Sequence, residues 1–137
     1  MSWTTPKTDW TADDRFNITD FNRIKNNLTY LYDLAGHAFL ITFDLVSMGA
    51  DMTRYSAFWN VAYFNAFETN LDNINKASFN RDYGVKKTFY ANGVFIDYLE
   101  LNRIENATLD LVERLTERIA TLPRLPFRLG AYKQMRL

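Results

Sequence analysis

Few residues in this chain could carry out chemistry. Glu68 and Glu105 occupy equivalent positions in two similar segments, and paired carboxylates can supply the acid and base of a hydrolase. A third similar segment has Lys25 at that position, which favours a surface salt bridge over catalysis. The chain has no Cys, and its one histidine, His37, follows a predicted helix end, where capping or packing is expected. Thiol catalysis and structural zinc are therefore excluded, and no cofactor is predicted.

The composition is that of an ordinary globular domain without a charge bias. The 137 residues are 47% hydrophobic and 23% charged, and basic and acidic residues both number 16. A molecule without net charge has no overall field to gather phosphates, so nucleic-acid binding is disfavoured. Residues 1–14 are polar and acidic, unlike a signal peptide, and no apolar run is long enough to cross a bilayer. We therefore expect a single-domain, soluble intracellular product.

An internal repeat organises the chain. Residues 21–28 (FNRIKNNL) are echoed by residues 101–106 (LNRIEN) and, more weakly, by residues 64–71 (FNAFETNL). In each copy, apolar residues recur at helical spacing, which predicts an amphipathic helix. The apolar positions are Phe21, Ile24, Leu28 and Leu31; Phe64, Phe67, Leu71 and Ile74; and Leu101, Ile104 and Leu111.

Each repeat carries an asparagine at the same position, namely Asn22, Asn65 and Asn102. Asparagine lowers helix stability because its side chain competes with the backbone for hydrogen bonds. Three of them at one position therefore predict a polar partner beside each apolar seam. The favoured partner is the carbonyl of a neighbouring loop, and the alternative is a set of amides that fixes the register between helices or subunits.

The predicted fold is all-α: a three-helix bundle with an internal helical repeat, long loops and extended terminal arms. Three antiparallel helices can bury their seams against one another. We predict one domain over residues 1–137, divided into an N-terminal arm (1–18), a bundle (19–121) and a C-terminal arm (122–137). The predicted helices span about 20–35, with a continuation through Phe39 left open; from Ser56 or Asn60 to about Lys76; and about 95–121, stopped by Pro123.

Two connections are longer than a minimal bundle needs. Residues 39–46 (FLITFDLV) are β-branched and aromatic, which predicts a short strand, with a helix extension as the alternative. Residues 77–93 mix Asn, Gly and Lys with aromatic residues, and loops of that length are often functional. The aromatic part, residues 79–90, is therefore a candidate binding loop.

Both predicted arms carry large apolar side chains without helical periodicity. Leaving such a side chain in water forgoes about 1.5–3 kcal/mol relative to burying it. We therefore predict that the arms dock on neighbouring subunits. From Arg114 onward the chain is also basic, which favours docking on another subunit over binding nucleic acid. The interface candidates are Trp3, Trp10 and Phe16 in the N-terminal arm and Leu125, Phe127, Leu129 and Tyr132 in the C-terminal arm.

The motifs resemble those of small virion proteins from tailed bacteriophages that infect Gram-positive bacteria. Met48-Gly49 and residues 65–71 are similar to a Met-Gly segment that precedes an Asn-x-[Ile/Phe]-Glu-x-Asn-Leu core in those proteins. An aromatic approach to Leu-Asn-Arg-Ile-Glu, at residues 95–105, extends the likeness over most of the chain. The N-terminal part of the chain resembles the start of such proteins, at residues 7–10 (KTDW), 16–17 (FN) and 20–28 (DFNRIKNNL).

The resemblance implies a structural or adaptor protein of the virion tail, baseplate or collar, made in the host cytoplasm. It implies other virion proteins as partners, a homo-oligomer in the particle and no membrane, and it carries no catalytic residues. Two alternatives remain. One is a host-adsorption module that binds cell-wall carbohydrate through the aromatic loop 79–90, and the other is a small cell-wall hydrolase that uses Glu68 or Glu105.

Overall fold

The computed structural model describes residues 3–53, 61–90 and 96–121. These ranges contain three α-helices, α1 (Ile18–Ala38), α2 (Val61–Ala77) and α3 (Tyr98–Thr121), and no strand. The helices pack against one another, which confirms the prediction of an all-α three-helix bundle. At 1.5 Å per residue, α3 is about 36 Å long. No helix in the described ranges is both long and apolar enough to span a membrane.

Short polar side chains set where the helices begin. The Asn17 side chain accepts hydrogen bonds from the N–H groups of Thr19 and Asp20, and the Asp20 carboxylate accepts the N–H of Asn17 in return. This reciprocal capping box satisfies backbone donors that have no partner within the helix. At α3, Asp97 accepts the N–H of Glu100, three residues later. Both caps lie five residues before the repeat asparagine of their helix.

The predicted apolar seams form the core. Phe21, Phe64 and Phe67 meet at its centre, with ring centroids 5.2–6.0 Å apart. Every seam residue predicted from the repeat is buried, with at most 3% of its surface exposed, including Ile24, Phe67 and Ile104. The seam of α3 is interrupted by Thr108, which is also buried and donates its hydroxyl proton to the carbonyl of Glu105.

The helices are parallel, so the prediction of an antiparallel bundle is wrong. Near the helix starts, Arg23 of α1 pairs with Glu105 of α3, and Arg103 of α3 pairs with Glu68 of α2. Near the helix ends, Arg118 of α3 donates to the last carbonyl of α1, at 3.4 Å. Equivalent positions therefore lie at equivalent heights, and each connection must return along the bundle.

Extended chain makes these returns. Residues 39–53 follow α1 without helix or strand and turn near Gly49, whose φ is +80°, so they form neither the predicted strand nor a continuation of the helix beyond Ala38. Side chains, in place of a neighbouring strand, satisfy part of its backbone. The hydroxyl of Tyr32 donates to the carbonyl of Phe43 at 2.7 Å, and Asn70 binds both polar groups of Val46. The connection after α1 is therefore bound to side chains of α1 and α2.

Candidate functional site: backbone clamps and buried ion pairs

The three repeat asparagines are backbone clamps. Each side chain accepts the N–H and donates to the C=O of one residue in an extended segment, with donor–acceptor distances of 2.7–2.9 Å. The predicted bond to a loop carbonyl is confirmed, and a second bond to the N–H accompanies it. Two bonds to one residue fix the position of the segment along the helix. The clamped pairs are Asn22 with Met52, Asn65 with Phe89, and Asn102 with Trp10.

A second set of clamps lies five residues further along two of the helices. Asn27 of α1 binds the N–H and C=O of Thr4, at 3.0 and 2.7 Å. Asn70 of α2 binds both groups of Val46, at 2.9 Å. The corresponding position of α3 is Ala107, which has no polar side chain. The sequence held a signal for this second set, because FNRIKNNL and FNAFETNL share an asparagine at their seventh position, but it was not predicted.

The clamps connect the three repeats in a ring. The segment before α2 is held by α1 through Met52, and the segment before α3 is held by α2 through Phe89. The segment before α1 is held by α3 through Trp10, which closes the ring. Each helix is therefore preceded in the chain by a non-helical segment that another helix of the bundle clamps.

Glu105 is the centre of a buried polar network. Its side chain is 1% exposed and accepts two hydrogen bonds from Arg23, at 2.8 and 2.7 Å. The indole N–H of Trp10 donates to the same carboxylate at 2.6 Å, and the backbone N–H of Lys7 does so at 3.1 Å. Burial alone would lower the pKa of Arg23, but Glu105 and then Asp20 raise it above its ordinary value.

Glu68 occupies the matching place at the junction of α2 and α3. Its side chain is 1% exposed and forms an ion pair with Arg103, which also binds Glu100 at 2.7 Å. Burial raises the pKa of Glu68 above its ordinary value, although Arg103 acts in the opposite direction.

The third junction departs from this pattern. In α2 the arginine position is Ala66, and in α1 the glutamate position is Lys25. Lys25 instead forms an ion pair with Asp51 of the extended segment, at 2.6 Å. The hydrogen bond from Lys25 lowers the pKa of Asp51 below its ordinary value, against a smaller effect of burial.

The two glutamates therefore form salt bridges, as predicted, but the prediction that these lie at the surface is wrong. Glu105 accepts hydrogen bonds from Arg23, the Trp10 indole and the Lys7 N–H, whereas Glu68 pairs with Arg103, and the two carboxylates belong to different helix junctions. The described residues contain no cluster of three or more His, Asp or Glu side chains that could hold a metal ion. The cleft over Glu68 has a volume of about 120 Å³, well below the roughly 300 Å³ of a small-molecule site.

The N-terminal arm packs against its own molecule, whereas the sequence analysis predicted that it docks on a neighbouring subunit. Trp10 is 4% exposed and lies between Asn102 and Glu105. Trp3 and Phe16 are half-buried against the core, and the ring of Trp3 lies 5.8 Å from that of Tyr30. The intramolecular groove buries these side chains without a neighbouring subunit. The C-terminal arm candidates Leu125, Phe127, Leu129 and Tyr132 lie outside the described residues.

The aromatic loop 79–90 presents one exposed ring. Tyr90 is 69% exposed, whereas Phe89 is buried and Phe79 packs edge-on against Phe39. Tyr83 is half-buried and donates its hydroxyl proton to Asp110 at 2.7 Å. Burial and this bond raise the pKa of Tyr83. The loop therefore uses most of its aromatic surface for packing, which argues against a stacking platform for sugars.

Comparisons with protein-family models, curated proteins and solved structures found no match to this chain.

Proposed function

We propose that this chain is a structural or adaptor subunit of a tailed-phage virion, in the tail, baseplate or collar. The observation that carries the proposal is that the motifs of the phage resemblance are the residues that hold the repeats together. The motif around Asn22 and Arg23 supplies one clamp and one ion pair, and the motif from Asn102 to Glu105 supplies the other half of two junctions. The residues that carry the resemblance are therefore residues that build the fold.

The arrangement is suited to assembly and poorly suited to catalysis. Glu68 and Glu105 are buried against arginines at separate helix junctions, so they do not face one substrate as a catalytic acid and base must. Two large apolar side chains are exposed on the surface, Leu40 (87%) and Leu99 (59%). Such side chains are available to pack against neighbouring subunits.

Labelling of virus particles tests the proposal. A monospecific antibody against this protein, applied to purified particles of the phage that encodes it, should decorate the tail, baseplate or collar in electron micrographs. The matched control is the same antibody absorbed with pure protein. Particles that lack both the label and the polypeptide in a sensitive immunoblot would refute a virion role.

Binding to purified cell-wall polysaccharide separates the adsorption alternative from a structural part. The structural proposal predicts no saturable binding. If saturable binding is found and is lost in Tyr90→Ala, adsorption through the loop 79–90 replaces the structural proposal. Tyr98→Ala is the matched control, because Tyr98 is also exposed but lies at the start of α3.

A further inference from the structure

Side chains of α1 and α3 form the groove that holds the N-terminal segment, residues 3–10. Asn27 holds Thr4 near one end of the segment, and Asn102 holds Trp10 at the other. Between them, the Lys7 N–H binds Glu105. The groove therefore recognises an extended backbone at three points and a tryptophan at one end.

The order of the repeats leaves open which molecule supplies this segment. Asn22 receives a residue 30 positions later in the chain, and Asn65 receives one 24 positions later. Asn102 receives Trp10, which lies 92 positions earlier. Each repeat asparagine thus binds the segment that precedes the next helix, and for Asn102 of α3 the next helix is α1. The α1 that follows the bound segment can belong to the same chain or to a second copy.

The link between the segment and α1 lies outside the core. Residues 11–15 are exposed, and their turn is held by the Asp14 N–H, which donates to the Thr11 carbonyl at 3.1 Å, and by the Thr11 N–H, which donates to the Asp14 carboxylate at 2.8 Å. Lys7 of the segment also pairs with Asp14 at 3.6 Å. A cleft of about 550 Å³ lies between this link and the start of α3. Reorienting the link therefore breaks these surface contacts and none within the core.

We propose that segment 3–10 exchanges between copies, so that the segment of one molecule occupies the groove between α1 and α3 of another. The exchanged complex keeps the hydrogen bonds between the segment and the groove, including those of Trp10 to Asn102 and Glu105, because the groove and its occupant are unchanged. Exchange of an identical element is a low-cost route to a dimer, since the closed monomer and the dimer differ mainly in the link. The proposal concerns the purified chain and does not depend on a virion role.

Cross-linking between full-length chains tests the exchange. The sequence has no cysteine, so single cysteines can be placed at Thr8 in the segment and at Asn106 beside Glu105, both exposed. The Thr8→Cys and Asn106→Cys chains, one carrying a size tag, are mixed, refolded together at high concentration and treated with a short bis-maleimide. We expect a covalent heterodimer in the fraction with twice the monomer mass.

Three controls make the result decisive. The double variant Thr8→Cys/Asn106→Cys, refolded at low concentration, should cross-link within one chain, which shows that the reagent spans the two sites. Replacing Asn106→Cys by Glu117→Cys, exposed further along α3, should abolish the heterodimer. Adding Trp10→Phe to the Thr8→Cys chain should reduce its yield, since the indole bond to Glu105 is lost.

Three outcomes would overturn the proposal. One is a protein that stays monomeric after refolding at high concentration although the double variant cross-links internally. The second is a dimer that forms without the Thr8–Asn106 cross-link, which would place the contact elsewhere. The third is a double variant that does not cross-link, which would contradict the position of the segment itself. Each of these outcomes leaves the virion proposal untouched, because that proposal is tested on particles.

Discussion

Removing the amide of Asn102 should destabilise the fold through Trp10. In Asn102→Ala, the N–H and C=O of Trp10 lose bonds of 2.8 and 2.9 Å, and the residue is too buried for water to replace both freely. Leaving a buried backbone group unpaired costs about 1–3 kcal/mol. Alanine is the better helix former by roughly 0.6 kcal/mol, which offsets part of this cost. We expect a net loss of about 1–3 kcal/mol in the free energy of unfolding, and a similar loss for Asn22→Ala.

The measurement is urea denaturation followed by far-UV circular dichroism and by tryptophan fluorescence. The matched control is Asn106→Ala on the same helix, because Asn106 is exposed and its amide binds only the carbonyl of Asn102 one turn earlier. This control gains the same helix propensity without losing a clamp. The difference between the two variants therefore isolates the clamp, and a red shift of the emission in Asn102→Ala alone would report the release of Trp10.

The reasoning fails if Asn102→Ala and Asn106→Ala unfold at the same urea concentration. That result would mean that the amide of Asn102 is solvated in the native state and that the clamp does not position the N-terminal segment. Unchanged stability in Asn22→Ala as well would remove the structural role of the repeat asparagines altogether.

Four further perturbations follow from the same contacts. Gly84→Ala should lower the free energy of unfolding by about 1–3 kcal/mol, because the φ of Gly84 is +91° and an added Cβ would lie 2.6 Å from Cδ of Arg103. Gly36→Ala is the matched control, because its Cβ would meet nothing within 4 Å, and it should raise the free energy of unfolding by about 0.5–1 kcal/mol. A thermal melt measures both. Arg103→Met leaves the buried Glu68 carboxylate unpaired and should lower the free energy of unfolding by about 3–5 kcal/mol. The double variant Arg103→Met/Glu68→Leu should recover part of this loss. Equal instability of the single and double variants would contradict the pairing. Because the pKa of Glu68 is raised in the folded state, its contribution is complete below the ordinary value of 4.5 and is lost as the pH rises through the folded value. The stability of the wild type relative to Glu68→Gln should therefore fall from pH 4 to pH 7, and a rise would show that the ion pair outweighs burial. Purified wall glycan should not be hydrolysed; turnover that disappears in Glu68→Gln or Glu105→Gln would establish an enzyme.

The helices were predictable because their apolar spacing is strong. The seam from Phe21 to Leu31 repeats at three and four residues, and each member is buried as expected. The predicted ends of the helices were less accurate. The α1 helix begins at Ile18 with Asn17 as its cap, two residues before the predicted start at about residue 20, and it continues past Gly36 to Ala38. A glycine at a helix end is a common stop signal, but here the helix ends where Phe39 turns to extended backbone and packs on the core.

The helix direction could not be obtained from the apolar pattern, which specifies a buried face and not an orientation. Short connections produce antiparallel neighbours, whereas this chain places residues 39–60 between α1 and α2, long enough to return to the starting end. The charged residues two before and one after the repeat asparagine give no direction either, because the pairs Asp20–Arg23 and Glu100–Arg103 each lie within one helix.

The burial of Glu68 and Glu105 was missed for a different reason. Acidic side chains are almost never fully buried unless they are paired, and their partners here are remote, 35 and 82 positions away. Arg23 and Arg103 therefore gave no local sign of their role. The same holds for Trp10, whose indole N–H needs a buried acceptor that only the folded α3 provides.

The departures from the repeat explain why each extended segment occupies its own groove. In three identical repeats, any segment would fit any helix, and several pairings would have similar energies. Here the α1 position offers the cation Lys25 to Asp51, whereas the α2 and α3 positions carry the carboxylates Glu68 and Glu105, and Glu105 accepts the backbone N–H of Lys7. A segment carrying Asp51 placed against Glu105 would bring two carboxylates together, which costs energy in a buried site. Charge at one position of the repeat thus selects the order of the segments, while the asparagine clamps, shared by all three helices, supply binding without selectivity.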